Sequence, residues 1–524
     1  MSHEIAQRHW DVIVIGTGIG GGTAGRALAE AGLKVLFVEK GPAGHRAEQT
    51  PLSPGIFVPE ARVARGFWPG QMRANVDGRA TRFFAPLGAG VGGSSVFYAA
   101  TLERPEPHDL DHSAARPHPT GGWPVSWAEF APWLDRAQAL YRVCGTPDPL
   151  SDTPCPNLAA PPPLSRGDAR LTEQLRAAGL HPYALHSAIA HLPGCKDCLG
   201  FKCPRACKMD GRSAGVEPAL ASGNAALLDR CTVTRLQGDG KRITGIEARR
   251  AGEMLSLTAD HVVLAGGAFG SPRLCLASAT ESFPRGVANA SGLVGRGLMF
   301  HLNEMFAIWP GGDDPSPSKA VGLRDLYWRE GQRLGMVQAM GVAASYGEIA
   351  WYLRGLVENS ALGRIPGAVG LTRIPAAIAA KLLGTAKIFV GLLEDLPYDD
   401  NRVLPPEGDS DEIAVDYRIH DELRARRRLF RREIGRALRG QRKMFLTRRP
   451  ELNFGHPSGT MRFGDDPARA VLRGDGRAHG IANLWGADAG FFPTSMGVNP
   501  SLSIAAQALR VADAIIREGT NGAR

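Results

Sequence analysis

A short apolar run, Asp11-Val12-Ile13-Val14-Ile15, stops at Gly16 and continues as Thr17-Gly18-Ile19-Gly20-Gly21. Few local patterns restrict a fold as much, because each glycine meets a separate steric demand. In a turn that holds a dinucleotide, the first glycine (Gly16) permits the tight bend. Gly18 lets the backbone approach a pyrophosphate, and Gly21 lets helix and strand pack closely. The glycine spacing alone is a weak signal, and its setting strengthens it. A helical pattern, TAGRALAEAG, follows, then a second apolar run, KVLFVEK, with Glu39 near its end. That order is a βαβ unit with two parallel strands. Its helix N-terminus offers free N–H groups and partial positive charge to phosphate. Glu39 would accept hydrogen bonds from an adenosine ribose and repel a 2′-phosphate, which argues against NADP. The motif leaves FAD and NAD both open.

At 524 residues, with 44% hydrophobic and 22% charged, the chain has the balance of a well-cored protein of one large two-part globule or two to three domains. No apolar run is long enough to cross a bilayer. The start, MSHEIAQRHW, has no basic region followed by an apolar core. No export signal is therefore expected, and the cytoplasm is the expected compartment unless a partner carries the protein to the periplasm. The net charge of +9 is mostly arginine and densest between Arg424 and Arg449. There Leu423, Phe430, Ile434 and Leu438 fall at helical spacing, which predicts a surface helix with one buried stripe and a solvated basic face. Stacking aromatics and recognisable nucleic-acid modules are absent from this stretch, so nucleic acid is not an expected partner.

Elsewhere the pattern predicts loops and short elements over 45–82, and an amphipathic helix from Trp123 to Gly145. Pro375 to Leu383 is apolar enough for core, with a lipid-facing lip as the alternative. A last helix is predicted from Pro500 to about Ile516. Four of the eight cysteines, Cys195, Cys198, Cys203 and Cys207, crowd into one loop. In a chain with no export signal this favours metal or redox chemistry over a disulfide framework. The spacing matches neither a bacterial ferredoxin run nor a paired zinc site. Iron–sulfur, zinc, disulfide and free thiol stay open.

Further motifs follow in a fixed order. Gly92-Gly93-Ser94-Ser95 precedes Arg104, and Gly122-Trp123-Pro124 comes next. An apolar run then ends in Ala265-Gly266-Gly267-Ala268 with Ser271-Pro272. Val294-Gly295-Arg296 leads to His301, and Glu394-Asp395-Leu396-Pro397 to Asn401-Arg402-Val403. The chain closes with His456-Pro457-Ser458-Gly459-Thr460, Gly486-Ala487-Asp488, Pro493-Thr494 and Asn499-Pro500. In this order they resemble the signatures of the glucose–methanol–choline (GMC) oxidoreductases, nearly end to end. The resemblance implies an α/β, two-part fold: a Rossmann-like FAD-binding domain and a β-sheet substrate domain. The first would come from 10–45, 85–125, 210–300 and 455–524, the second from 46–84, 126–209 and 301–454. It also implies non-covalent FAD, with Glu39 at the ribose, Val233 beside the adenine and Asp488 near the pyrophosphate. Gly92, Gly93, Ser94, Ser95, Ala265 and Pro500 would contact the cofactor. Two positions depart from the family: Phe97 stands where a subset has a histidine bonded to FAD, and Tyr98 where an asparagine is common. The cysteine loop resembles that of FAD-dependent glucose dehydrogenases, some of which hold an iron–sulfur cluster.

Alcohol oxidation by hydride transfer needs a base for the hydroxyl proton, and histidine titrates in the suitable range. His456 matches the family's catalytic histidine and Asn499 its partner, with hydride passing to flavin N5. Asn499 also precedes a proline and a helical run, the pattern of an N-cap with proline in the first turn. Such a helix would aim its positive end at a developing flavin anion. His301 is expected to be a satisfied core histidine. The expected activity is a dehydrogenase for a sugar or other alcohol, with an electron-acceptor subunit or cytochrome as partner. An oxidase releasing hydrogen peroxide, a flavin-containing lyase and a non-catalytic flavin scaffold are the alternatives.

Overall fold

The computed structural model describes residues 2–44, 59–195, 197–314, 318–341, 349, 353, 354, 357, 365, 367, 368 and 370–522. The βαβ unit forms from the strand His9–Ile15, the helix Ile19–Glu30 and the strand Val35–Val38. The strands pair in parallel, Val12 opposite Val35. They read as unbroken apolar runs because a parallel sheet is covered on both faces, and all four residues of Val35–Val38 are buried. The sheet has seven strands. Ala225–Leu228 lies outside Val35–Val38, and Glu253–Leu264 on the far side of His9–Ile15, with Leu484–Gly486 pairing on that same strand. Ile243–Arg250 and Cys231–Gly238 extend it antiparallel. The C-terminal helix Ser501–Gly522 packs on Ile19–Glu30. All seven strands fall within residues 9–38, 225–264 and 484–486.

A second, six-stranded antiparallel sheet runs in the order Lys443–Phe445, Leu302–Ile308, Lys387–Leu393, Val337–Ala339, Val321–Leu323 and Tyr183–Ala184. Alternate residues of a strand face opposite ways, and this sheet divides its duties accordingly. Leu302, Phe306, Val337, Phe389 and Leu393 join a core with Leu423, Phe430 and Ile434 of the helix Asp421–Ala437. A Cβ at Gly391 would meet the Phe430 ring at 2.7 Å, so glycine allows that helix its close approach. The opposite face, with Asn303, Gln338, Met340, Val390 and Leu392, opens onto a cavity. A third sheet joins Arg402–Val403, Ile413–Tyr417, Met72–Val76 and Arg79–Phe83.

Several local expectations need correction. The stretch read as loops and short elements over 45–82 does hold short elements, the helix Pro59–Arg65 and a hairpin, Met72–Val76 with Arg79–Phe83, the hairpin itself not having been singled out; residues 45–58 lie outside the described residues. Asp77 and Gly78 form the turn, both with positive φ, at 51° and 78°. Asp-Gly between β-branched runs is a hairpin signal. The basic helix does not keep a wholly solvated basic face. Arg426 and Arg427 are buried, and Arg427 and Arg431 both pair with the buried Glu304. Acids on distant strands neutralise what looked like a charge run. The helix Arg373–Leu383 inverts the core expectation. It buries only Ala376 and Leu383, whereas Ile374, Ile378 and Leu382, one turn apart, are 64%, 58% and 61% exposed. Hydropathy fixes a helix's apolar stripe but not which way the stripe faces. The helix expected over 123–145 spans Trp127–Leu140, because Ser126 and Glu129 form a capping box. Trp123 instead joins a ring cluster with Phe130, Phe463 and Phe491.

Candidate active site

One cavity of about 810 Å³ is lined by residues of both large sheets. From the first sheet come Gly16, Gly18, Glu39, Val233 and Ala265. The glycines differ in what they make room for. A Cβ at Gly16, where φ is +102°, would lie 2.4 Å from the Ala265 carbonyl oxygen, and one at Gly20 would lie 1.8 Å from that of Ala487. These two serve close approach within the chain. A Cβ at Gly18 would meet nothing within 4 Å, so the backbone there is open to the cavity. Gly21 packs against Gly16 and does not line the cavity.

Glu39 is buried and already engaged. Oε2 accepts from the Thr17 backbone N–H at 3.1 Å and the Thr17 hydroxyl at 2.6 Å, and Oε1 accepts from Gly41 N–H at 3.1 Å. Burial raises its pKa, and those hydrogen bonds oppose the rise. Thr17 Oγ1 also accepts from Gly92 N–H at 3.1 Å, tying the second glycine loop to the first. Nothing in the sequence pattern singled out Thr17. In that second loop Gly93, Ser94 and Ser95 line the cavity, whereas Gly92 makes the left-handed entry, with φ of 98°. The Ser95 hydroxyl donates to Gly92 O at 2.6 Å and accepts from Gly211 N–H at 2.9 Å, which is a folding role. Phe97 stacks on Phe67 at 4.0 Å, and the Tyr98 hydroxyl donates to Met209 O. Asp488 accepts from Gly267 N–H at 2.9 Å and Gly490 N–H at 2.8 Å, holding the C-terminal block against the segment after Ala265.

His456 and Asn499 line the same cavity. His456 Nδ1 lies 3.0 Å from Nδ1 of His301, and His301 Nε2 lies 3.0 Å from the Met496 carbonyl oxygen. A carbonyl only accepts, so His301 Nε2 must carry a proton. Burial pushes the His301 pKa down to about 4, so the ring is neutral and its Nδ1 is an acceptor. The proton between the two rings therefore sits on His456 Nδ1. His456 Nε2 is left unprotonated and without a hydrogen-bond partner among the described residues. Asn453 Nδ2 also lies 3.2 Å from His456 Nδ1, with Asn453 Oδ1 accepting from Gly455 N–H, so it competes with His301 for that nitrogen. Burial, then the neighbouring His301 and Lys319, hold the His456 pKa well below the ordinary 6.5. His301 thus sets a tautomer, a role its sequence position did not reveal.

Asn499 does not act as the N-cap. Ile504 N–H donates to Pro500 O at 3.0 Å and the helix begins at Ser501, so Pro500 occupies the cap and Asn499 precedes it. The Asn499 Oδ1 is buried without a hydrogen-bond partner. Pro500 and Ser501 also line the cavity, placing the helix N-terminus there.

Beside this wall lies the cysteine loop. Its four thiols are free, and Cys195 neighbours Cys207 while Cys198 neighbours Cys203. Zinc bonds of about 2.3 Å would bring tetrahedral sulfurs to roughly 3.8 Å of one another. Among the described residues no three of these thiols come within 4.8 Å of each other; the one such group joins His191, Cys195 and Asp197. Lys208, fully buried, donates to the carbonyls of Val96 at 2.9 Å, Tyr98 at 3.3 Å and Cys198 at 2.8 Å, and also to Phe201. It straps the cysteine loop to the cavity wall, and neither its role nor that of Asn303, Gln338 or Lys319 was visible in the sequence. No helix among the described residues is long and apolar enough to cross a membrane.

Residues 11–303 match the GMC oxidoreductase N-terminal family and residues 411–508 its C-terminal counterpart. Paromamine 6'-oxidase of Streptomyces fradiae is 30% identical, over 97% of this chain and 91% of its own. 2-Methyl-1,2-propanediol dehydrogenase of Mycolicibacterium austroafricanum is 27% identical, over 97% and 95%. The crystal structure of pyridoxine 4-oxidase from Mesorbium loti shares the fold, with a TM-score of 0.61 at 20% identity over 97% of this chain and 99% of that one. With the dinucleotide-type glycine turn, the two-sheet cavity and these end-to-end matches together, the chain belongs to the GMC oxidoreductases, a family of FAD-binding flavoproteins.

Proposed function

We propose that this protein is an FAD-dependent dehydrogenase that oxidises a CH–OH group of a sugar or other alcohol, with His456 taking the hydroxyl proton. The observation carrying the reading is the shared space: the glycine turn at residues 16–20 opens onto the same cavity as His456 and Asn499. The residues present fit the cofactor. The open backbone at Gly18 sits at a helix N-terminus, suited to pyrophosphate. Gly16, Gly18, Gly93, Ser94 and Val233 would hold FAD, with Glu39 at its ribose and Asp488 along its length. When bound, FAD supplies a two-electron acceptor for hydride.

The chain does the rest. His456 Nε2 presents a lone pair to the cavity, and a positioned base of this kind contributes about 10²–10⁴ in rate. The proton leaves the substrate oxygen for that nitrogen, while Nδ1–H stays bonded to His301. Asn499 stays neutral at every working pH, so it orients the substrate oxygen without competing for the proton. The N-terminus of Ser501–Gly522 favours negative charge developing nearby. Met340, Val390 and Leu392 give the second-sheet wall an apolar surface that limits water. The dehydrogenase and oxidase named above both have alcohol chemistry in keeping with this reading, and electrons would leave through a separate acceptor subunit or cytochrome.

Anaerobic addition of candidate alcohols to the purified protein should bleach the flavin absorbance, and readmitted air should restore it slowly. Rapid restoration with hydrogen peroxide would make the enzyme an oxidase. Protein that is colourless and takes up no FAD would sink the proposal.

A further inference from the structure

We infer that the alcohol oxidised in this cavity carries an anionic group, a carboxylate or a phosphate, and that Lys319 recognises it. The inference rests on the proposed alcohol oxidation and specifies its substrate. Lys319 lines the cavity close enough to His456 to act on it electrostatically, yet its ammonium makes no hydrogen bond or ion pair with any described residue. Burial lowers the Lys319 pKa to about 8, still charged at neutral pH. The acid that opposes this, Glu103, is committed elsewhere: it accepts from Arg324 at 2.6 Å, the Tyr183 hydroxyl at 2.9 Å and His186 N–H at 2.9 Å. The carboxylates that line the cavity are also engaged. Asp411 pairs with Lys40, Asp409 with Arg249, Glu39 bonds Thr17 and Asp488 bonds Ser271. The Lys319 stem passes beside Gly341, where a Cβ would lie 3.1 Å from its Cδ.

The same cavity is lined by residues whose polar atoms the described chain leaves unpaired. Asn303 Oδ1, Gln338 Oε1, Asn499 Oδ1 and Thr101 Oγ1 are all buried without a partner, and all four residues line the cavity. Thr101, Gln338 and Asn499 are only 5%, 4% and 6% exposed. Buried polar atoms are paired in nearly every protein interior; these four have no accessible surface as they stand, so a ligand meets them only when their side chains turn toward it. Amide oxygens ask for hydroxyl hydrogens, and an unpaired ammonium asks for an anion. A polyhydroxylated acid supplies both. An amine-bearing substrate would face a cation with no free carboxylate opposite.

Calorimetric titration of the holoenzyme with D-gluconate, D-glucose 6-phosphate and D-glucose tests this and separates carboxylate from phosphate. At least one anion should bind about tenfold tighter than glucose, the worth of a charged hydrogen bond. Lys319→Met should erase that preference, and Lys319→Arg should keep part of it. Removing a cation with no partner among the described residues should leave Tm unchanged or higher, whereas loss of a structural lysine would lower it. Equal binding of all three sugars, no binding at millimolar concentrations, or an anion preference surviving in Lys319→Met would each overturn the inference. Flavin-free protein that still binds gluconate through Lys319 would refute the proposed oxidation alone.

Discussion

The two walls of the cavity are built on opposite principles. The first-sheet wall is mostly backbone: glycines at 16, 18 and 93, helix N-termini, and carboxylates already satisfied by neighbouring N–H and hydroxyl groups. The other wall is side chains: Asn303, Gln338 and Lys319 from the second sheet and the segment leading into it, with His456 and Asn499 from the C-terminal block, each with a polar atom lacking a partner among the described residues. A wall that grips a large constant ligand can be finished before the ligand arrives. A wall that discriminates among substrates must leave its polar groups for the substrate to satisfy. Chemistry should therefore fail on one side and folding or cofactor retention on the other.

The largest effect belongs to the chemical wall. His456→Ala should lower the rate of flavin reduction by about 10²–10⁴ while the flavin content stays constant. Loss of flavin in that variant would instead make His456 part of the cofactor cradle. On the backbone wall, Gly20→Ala forces a Cβ to 1.8 Å from the Ala487 carbonyl oxygen and should cost about 3 kcal/mol of stability by denaturant unfolding. Gly18→Ala, with open space around it, should leave the apoprotein's Tm in place and weaken FAD binding. Equal losses of stability in both variants would erase the distinction between glycines that serve the chain and those that serve the ligand.

Smaller effects test how the base is prepared. His301→Ala releases the His456 tautomer and should slow reduction roughly tenfold or more. His301→Gln, whose amide can accept from His456 and donate to Met496, should recover most of the rate. The pH profile carries a sign. Both rings have lowered pKa values, so kcat/KM should stay level through neutrality and fall only below the usual histidine range near 6.5. The unfolded chain takes up those protons first. Stability is therefore full above that range and lost as pH falls toward about 4, the His301 value. A midpoint above 7 would show that the base is charged at rest. Smallest of all, Ile378→Ser on the exposed helix face should change stability by no more than about 0.5 kcal/mol.

The glycine turn, the parallel strands and the order of motifs were legible because they are local: a bend, an alternation, a capping pair. Gly16, Gly18 and Glu39 could be placed by distance along the chain alone. The Asp77-Gly78 hairpin was equally local, though the surrounding arginines and prolines masked it. What escaped were properties of faces and partners. Arg427 and Arg431 read as a solvated charge run until Glu304, on a strand more than a hundred residues away, was found beneath them. Ile374, Ile378 and Leu382 read as core because their stripe is apolar, and its direction is invisible without the rest of the molecule.

By itself the sequence determined that a strand must bend at Gly16 into a helix open to phosphate, since only glycine tolerates those approaches. It also supplied one imidazole and one carboxamide in the right company. Only the tertiary structure decided, among the described residues, which nitrogen of His456 is bare, which lysine lacks a counter-ion and which amides go unsatisfied. Protonation and pairing are set by groups that meet in space from distant strands, and hydrogen bonds between them leave no periodicity in the chain.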